Sequence, residues 1–216
     1  MINNLVLASI LVTFLFEGTF FLALALIYRS REKKTLRIFN TFIFETTPSF
    51  KEKNSFINYI FLFAVIVNAL PFIFYLNKIA NSYTVAMTIL AVLIAFCLGC
   101  LPFISFYKLR EHFYLDLGAI VSLLALFTIE AFCCFYVYKN NDYLNNRALA
   151  GMIVSIALGA IMLIPIFNPK LFDLKNKKNE DGTFARKNFI FLAFVEWALY
   201  PMALLSLLPI FLITMA

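Results

Sequence analysis

The sequence predicts an all-α, polytopic integral membrane protein: a bundle of six transmembrane helices forming a single membrane domain over residues 1–216. Three observations lead there. Apolar residues make up 63% of the chain and charged residues only 14%, against about 25% charged in soluble globular domains. With 27 Phe but only 6 Gly, 7 Pro and 4 Cys, the chain is equally unlike a disordered, collagenous or disulfide-stapled one. Six apolar runs have the length of helix, about 20 residues, that crosses a hydrocarbon core of roughly 30 Å. The basic residues, finally, alternate from one connection to the next, as they do when connections lie on two sides of a membrane.

The first run, residues 5–28, has no charged side chain through residue 16 and carries Glu17 at its centre. Ala23-Leu24-Ala25 has the small-x-small pattern of a signal-peptide cleavage site. A signal also needs a basic start and an uninterrupted apolar stretch, so this run is expected to remain as the first span. In the connection that follows, residues 29–55, Leu36, Phe39 and Ile43 share one helical face beside Phe42, which predicts a short helix over 36–44 lying flat at the membrane interface. The second run, 56–76, contains Asn68 and Pro71; the third, 83–107, contains Cys97-Leu98-Gly99-Cys100 and Pro102. The fourth, 113–138, follows His112, has Asp116 near its start and carries Glu130 and Cys133-Cys134. In the fifth, 148–167, Gly151, Ser155 and Gly159 recur every four residues, a small-xxx-small face on which another helix can approach closely. Connection 168–188 reads as a solvated turn, and the sixth run, 189–214, holds Glu196, Pro201 and Pro209. The runs are apolar all round, whereas barrel strands would alternate over about ten residues. Lipid offers the backbone no other partners, so helices are expected despite the many Phe and β-branched residues.

Of the 18 basic residues, 15 fall in connections one, three and five: Arg29, Arg31, Lys33, Lys34, Arg37, Lys51 and Lys53; Lys108 and Arg110; Lys170, Lys175, Lys177, Lys178, Arg186 and Lys187. Only Lys78, Lys139 and Arg147 lie elsewhere. Segments 29–55, 108–112 and 168–188 are therefore expected in the cytoplasm, with both termini outside a cell (plasma) membrane. The net charge of +6 is a topology signal on this reading, and nucleic acid is excluded as a partner. The lipid bilayer is the expected partner, with anionic headgroups at the cytoplasmic loops, where each Lys or Arg contributes about 1 kcal/mol. A membrane-protein partner or a homo-oligomer is left open.

Little in the chain points to catalysis. The two cysteine pairs fall roughly 15 Å apart along the membrane normal at the rise of a helix, beyond the ~7 Å Cα limit of a disulfide, so buried thiols acting as small apolar groups are expected. His112 is the single histidine. It cannot build a zinc site alone, and no metal or cofactor is expected. Asp181-Gly182-Thr183-Phe184-Ala185-Arg186 resembles the D-G-x-x-A-R core of the CDP-alcohol phosphotransferases, which build phospholipids in membranes. The resemblance covers six residues. That family needs further carboxylates to hold its metal ions, and the matching positions here are Lys178, Val195, Leu199 and Ala203, so the chain is assigned to no family. Phosphate-binding G-x-x-x-x-G-K-S/T and nucleophile-bearing G-x-S-x-G patterns are absent from the sequence.

Glu17, Glu130 and Glu196 stand out because no Lys or Arg shares a span with them. An ionised carboxylate at mid-membrane costs about 2.5 to 3.5 kcal/mol even on permissive scales, so each is expected either protonated or compensated by a cation or polar group. Glu17 sits at the centre of its run and Glu130 about 7 Å outward of its own, with Asn68 and Ser155 in the same layer. These four residues, Glu17, Asn68, Glu130 and Ser155, form the expected solute- or proton-coupling site; interhelical glue is the structural alternative. Dividing the chain three plus three sets Glu17, Pro71 and Pro102 against Glu130, Pro165 and Pro201, the pattern of an inverted repeat. Three functions compete on this basis. One is a small solute or ion transporter, or a membrane subunit of a transport complex. A second is a non-catalytic scaffold or assembly subunit. The third is a lipid-handling enzyme acting at the interface through His112, Asp116 and Asp181.

Overall fold

The computed structural model describes residues 2–32, 36–39, 41–46, 67, 69–76, 82–101, 109–172, 177–178, 184–185 and 189–214. Its helices are α1 (Ile2–Glu32), α2 (Ile43–Thr46), α3 (residues 69–76), α4 (Ser82–Cys100), α5 (Leu109–Asn140), α6 (Asn145–Phe167), α7 (Phe191–Leu205) and α8 (Leu207–Thr214). Single 3-10 turns, Asp142–Leu144 and Pro169–Phe172, bracket α6. Within connection five, Lys177–Lys178 (β1) pairs antiparallel with Phe184–Ala185 (β2). The regular structure of the described residues is otherwise all-α.

Five segments are long and apolar enough to cross a membrane: Asn4–Ser30, Tyr83–Cys100, Phe113–Asn140, Asn145–Phe167 and Phe191–Thr214. They correspond to five of the six expected runs. The other, 56–76, is described only at Val67 and over 69–76, where it is helical; its remainder lies outside the described residues. The burial pattern is that of a protein in lipid. Leu15, Leu22, Ile89, Phe96, Phe132, Ile156 and Ile164 are exposed on the outer faces, while Glu17, Asp116, Glu130 and Glu196 are buried. Large apolar side chains on the outside and carboxyl groups on the inside would be untenable in water, and they identify a multi-pass membrane protein surrounded by a bilayer.

The bundle is organised on α5 and α7. Along α5, Asp116, Ala119, Ile120, Leu123, Leu126, Phe127, Glu130, Cys133 and Cys134 are all buried, following the three- and four-residue steps that keep one helical face inward. Antiparallel neighbours α4 and α6 make the largest interfaces with it. On α7, seven residues from Leu192 to Tyr200 are buried, which makes it the central helix rather than a lipid-facing one. The last span is not one straight helix. It breaks at Ser206, whose hydroxyl turns back to the Ala203 carbonyl at 2.6 Å. Pro201 and Pro209, lacking N–H groups, remove two bonds of the ladder on either side.

Connection one departs from expectation. Instead of a helix over 36–44 lying at the surface, the helical turn among the described residues of this connection is α2, and Thr41, Phe42, Ile43 and Thr46 are buried in the bundle. Tertiary bonds to α7 pull this segment inward. At the same end, the Ile190 N–H donates to the Phe39 carbonyl at 2.7 Å. The Phe39 ring stacks on Phe194 with centroids 5.7 Å apart. Connections one and five thus share one end. The start of α4 and the end of α5 meet at the other, through the rings of Tyr83 and Tyr136, 6.2 Å apart.

Candidate functional site

Prolines open the helices, and hydroxyls from neighbours close them. A proline cannot donate to the carbonyl four residues earlier. Pro102 therefore cannot serve Leu98 O, which instead accepts the Tyr200 hydroxyl of α7 at 2.9 Å. Pro71 likewise cannot serve Val67 O, which accepts the Thr13 hydroxyl of α1 at 3.3 Å while that hydroxyl also reaches Ser9 O at 2.9 Å. Both bonds fix one helix to another inside the bundle.

Adjacent residues of α7 hold connection one. Glu196 Oε2 accepts the Ile43 N–H at 3.1 Å, and Trp197 Nε1 donates to Thr41 O at 2.6 Å. Ile43 opens α2, and the first N–H groups of a helix have no partner within it. The Glu196 carboxyl supplies one. With the Ile190–Phe39 bond, Phe39 and residues 41–46 become a strap tied to the start of α7.

Around that tie lies a group of buried ionisable side chains. Asp116 of α5 is 0% exposed, and both its carboxyl oxygens are buried without a hydrogen-bond partner among the described residues. It lies within electrostatic reach of Glu196 and of the Cys97 thiol. Tyr200, one turn beyond Glu196, lies within reach of Glu196, Glu17, Asp116 and Cys100. Helices α1, α4, α5 and α7 therefore each bring a titratable group to one region, and it adjoins the strap.

Glu130 has different surroundings. It shares the inner stripe of α5 with Asp116 but lies 14 residues on, about 21 Å at the helical rise. Cys133, Cys134 and, beyond them, Tyr75 of α3 surround it. Both Glu130 oxygens are buried without a hydrogen-bond partner among the described residues, and the Tyr75 hydroxyl meets the Cys133 thiol. The four cysteines are unbridged thiols.

The remaining expected residues are placed as follows. The Ser155 hydroxyl donates to the Gly151 carbonyl of its own helix at 3.0 Å. A Cβ at Gly151 would stand 2.9 Å from Cys134 Sγ and 3.7 Å from Pro209, so α5 and α8 both pack tightly on α6 at this glycine. Gly159 is looser, with its nearest neighbour, Phe127 Cβ, at 3.6 Å from such a Cβ. Ser155 and Gly159 also line an apolar groove of about 490 Å³ between α5 and α6, with Phe127, Thr128, Phe132 and Ile156. Asn68, Asp181 and the His112 side chain lie outside the described residues. Asp116, expected at the interface beside His112, is instead a core group. The sequence carried no signal for this, because the run is apolar all round and the helical spacing of Asp116 with Ala119, Ile120 and Leu123 does not say which face is buried.

Among the described residues no group of three or more His, Cys, Asp or Glu side chains is arranged to hold a metal ion. No family model, curated protein or solved structure matches the chain.

Proposed function

We propose that this multi-pass protein is a small solute or ion transporter, or the membrane subunit of a transport complex, and that Glu17 belongs to its coupling site. One observation carries the reading: Glu17, Asp116 and Glu196, from three helices, converge with Tyr200 inside an apolar bundle. Intramembrane carboxyl groups facing a bundle interior mark ion and proton pathways. Asn68, Glu130 and Ser155, the polar groups expected in the same layer from the sequence, complete the proposed coupling path, with Glu130 as a second station about 21 Å along α5 from Asp116. In this reading the protein lies in the plasma membrane with its basic connections in the cytoplasm, against anionic headgroups. Membrane-protein partners and self-association are compatible with it.

The test uses purified protein in vesicles loaded with a pH-sensitive dye. An imposed proton gradient should decay faster than in protein-free vesicles, and Glu17→Gln, which keeps the shape but not the exchangeable proton, should abolish the difference. Glu130→Gln should behave alike if the two carboxyls serve one site. Equal decay in wild-type, Glu17→Gln and empty vesicles would reject transport. The scaffold reading is then favoured, and it has its own support: Glu196 and Trp197 fasten the strap, which is structural work.

A further inference from the structure

The apolar groove between α5 and α6 has one end deep in the bilayer and one end at its surface. On α5 its wall runs from Leu124 to Phe135, about 16 Å at the helical rise, which is the depth of one leaflet when the whole hydrocarbon core measures roughly 30 Å. Leu124 lies near the middle of the apolar segment Phe113–Asn140, and Gly159 of α6 lies opposite it. Phe135 lies near the end. Just beyond it Tyr136, Tyr138 and Tyr143 are exposed, as tyrosines are where a span meets the headgroups. One turn past Phe135 comes Lys139, the basic residue in the last turn of α5. Its Nζ stands over the Phe135 ring, 4.9 Å from the centroid. Thr128, Ala131, Phe135 and Lys139 follow one another in steps of three and four, so they share one helical face. A cation therefore stands at the mouth of the groove.

Depth and charge together select the occupant. Helices associate in lipid through small residues and hydrogen bonds across the contact. Here the Thr128 hydroxyl is directed to Leu124 O at 2.8 Å and the Ser155 hydroxyl to Gly151 O at 3.0 Å, each within its own helix, and Phe127, Phe132 and Ile156 are bulky walls. A molecule that is apolar through one leaflet and negative at headgroup level matches both the walls and the lysine. We propose that this groove binds one anionic phospholipid, with an acyl chain along Phe127, Phe132 and Ile156 and the headgroup phosphate on Lys139. The Phe135 ring steadies the ammonium by a cation–π contact, and the ammonium donates a charge-assisted bond to the phosphate. Arg147, in the first turn of α6, adds a positive charge at the same end, and with Asp142 between them the connection stays net positive. The groove volume of about 490 Å³ is that of a small-molecule site, about 300–1,000 Å³.

The site lies at the opposite end of the bundle from the basic connections one and five, so it is separate from the headgroup attraction expected there. It also goes beyond the coupling-site reading and does not rest on it. A protein that moves nothing can hold this lipid, and a protein without it can still dissipate a proton gradient, so the two tests fail separately.

The test is native mass spectrometry of the full-length chain, delipidated in detergent and titrated with phosphatidylglycerol or with phosphatidylcholine of the same acyl chains. The unsubstituted chain should retain one phosphatidylglycerol at concentrations where phosphatidylcholine is not retained. Lys139→Gln should weaken that binding about fivefold, the factor one basic residue contributes near an anionic surface. Lys139→Arg should preserve it. Lys170→Gln, which removes the same charge at the other end, should leave it unchanged. Ala131→Phe puts a ring into the groove with Lys139 still in place and should abolish retention; Gly159→Leu, filling the deep end, gives the same readout should that variant not fold. Equal retention of the two lipids, equal losses in Lys139→Gln and Lys170→Gln, or retention that survives a filled groove each overturns the proposal. A dimer that Ala131→Phe dissociates, with no lipid retained, overturns it too and assigns the groove to a second copy of the chain. If neither groove variant folds, the lipid preference of the unsubstituted chain and the Lys139 and Lys170 comparison decide.

Discussion

Tyr200 and Thr13 do the same work with unequal strength. Each hydroxyl serves a carbonyl that a proline cannot, but Tyr200 reaches Leu98 O at 2.9 Å, whereas Thr13 divides its donor between Ser9 O and, at 3.3 Å, Val67 O. A buried acceptor left unsatisfied costs about 1–3 kcal/mol. Tyr200→Phe keeps the ring and removes only the donor, so it should lower unfolding stability in detergent by about 1–2 kcal/mol. Thr13→Val should cost under about 1 kcal/mol, because its second bond is long. Equal losses for the two variants would mean that the proline-freed carbonyls are satisfied in some other way.

Helix α6 carries two glycines on one face, and their surroundings set opposite expectations for the smallest substitution. At Gly151 a new methyl would stand 2.9 Å from Cys134 Sγ, closer than such atoms approach, and the thiol is held in the core. Gly151→Ala should therefore destabilise by about 1–3 kcal/mol, the usual cost of overpacking. At Gly159 the nearest atom would be 3.6 Å away, an ordinary contact, and at Gly18 of α1 nothing lies within 4 Å. Gly159→Ala and Gly18→Ala should each be neutral or stabilising by up to about 1 kcal/mol, since alanine loses less backbone freedom in a helix than glycine. Melting temperatures of the three variants give the ranking. If Gly151→Ala melts with the other two, α5 and α8 do not close on α6 as described. A leucine at Gly159 has the α5–α6 groove to enter, so it should be better tolerated than at Gly151.

For the whole molecule, the alternation of ends makes topology measurable at two positions. Tyr143, in the connection between α5 and α6, is 100% exposed, and Lys177 lies in the short hairpin of connection five. Single thiols at these sites, in chains without native cysteines, should react with an impermeant reagent from opposite sides of an intact membrane, Tyr143→Cys from outside and Lys177→Cys from the cytoplasm. Reaction of Lys177→Cys from outside would reverse the orientation expected from the basic residues. Reaction of both from one side would break the helix order itself.

The sequence by itself determined that this chain is helical and lives in lipid, and where the five described spans run. Length and hydropathy suffice for that, because a bilayer admits few backbone solutions and punishes misplaced charge. Glu17, Glu130 and Glu196 were recognisable as out of place for the same reason. Which groups meet was not legible, since apolarity on every face of a span leaves no stripe to say what faces inward. Tertiary structure decided that Asp116 is a core residue in reach of Glu196, that Tyr75 of α3 joins Cys133 beside Glu130, and that Phe39 with residues 41–46 forms a strap rather than a surface helix. The physical reason is that these outcomes depend on long-range hydrogen bonds, Ile43 to Glu196 and Trp197 to Thr41, across 153 and 156 residues of chain. Such pairings exist only once α7 has been packed at the centre of the bundle, and no local pattern in the chain encodes them.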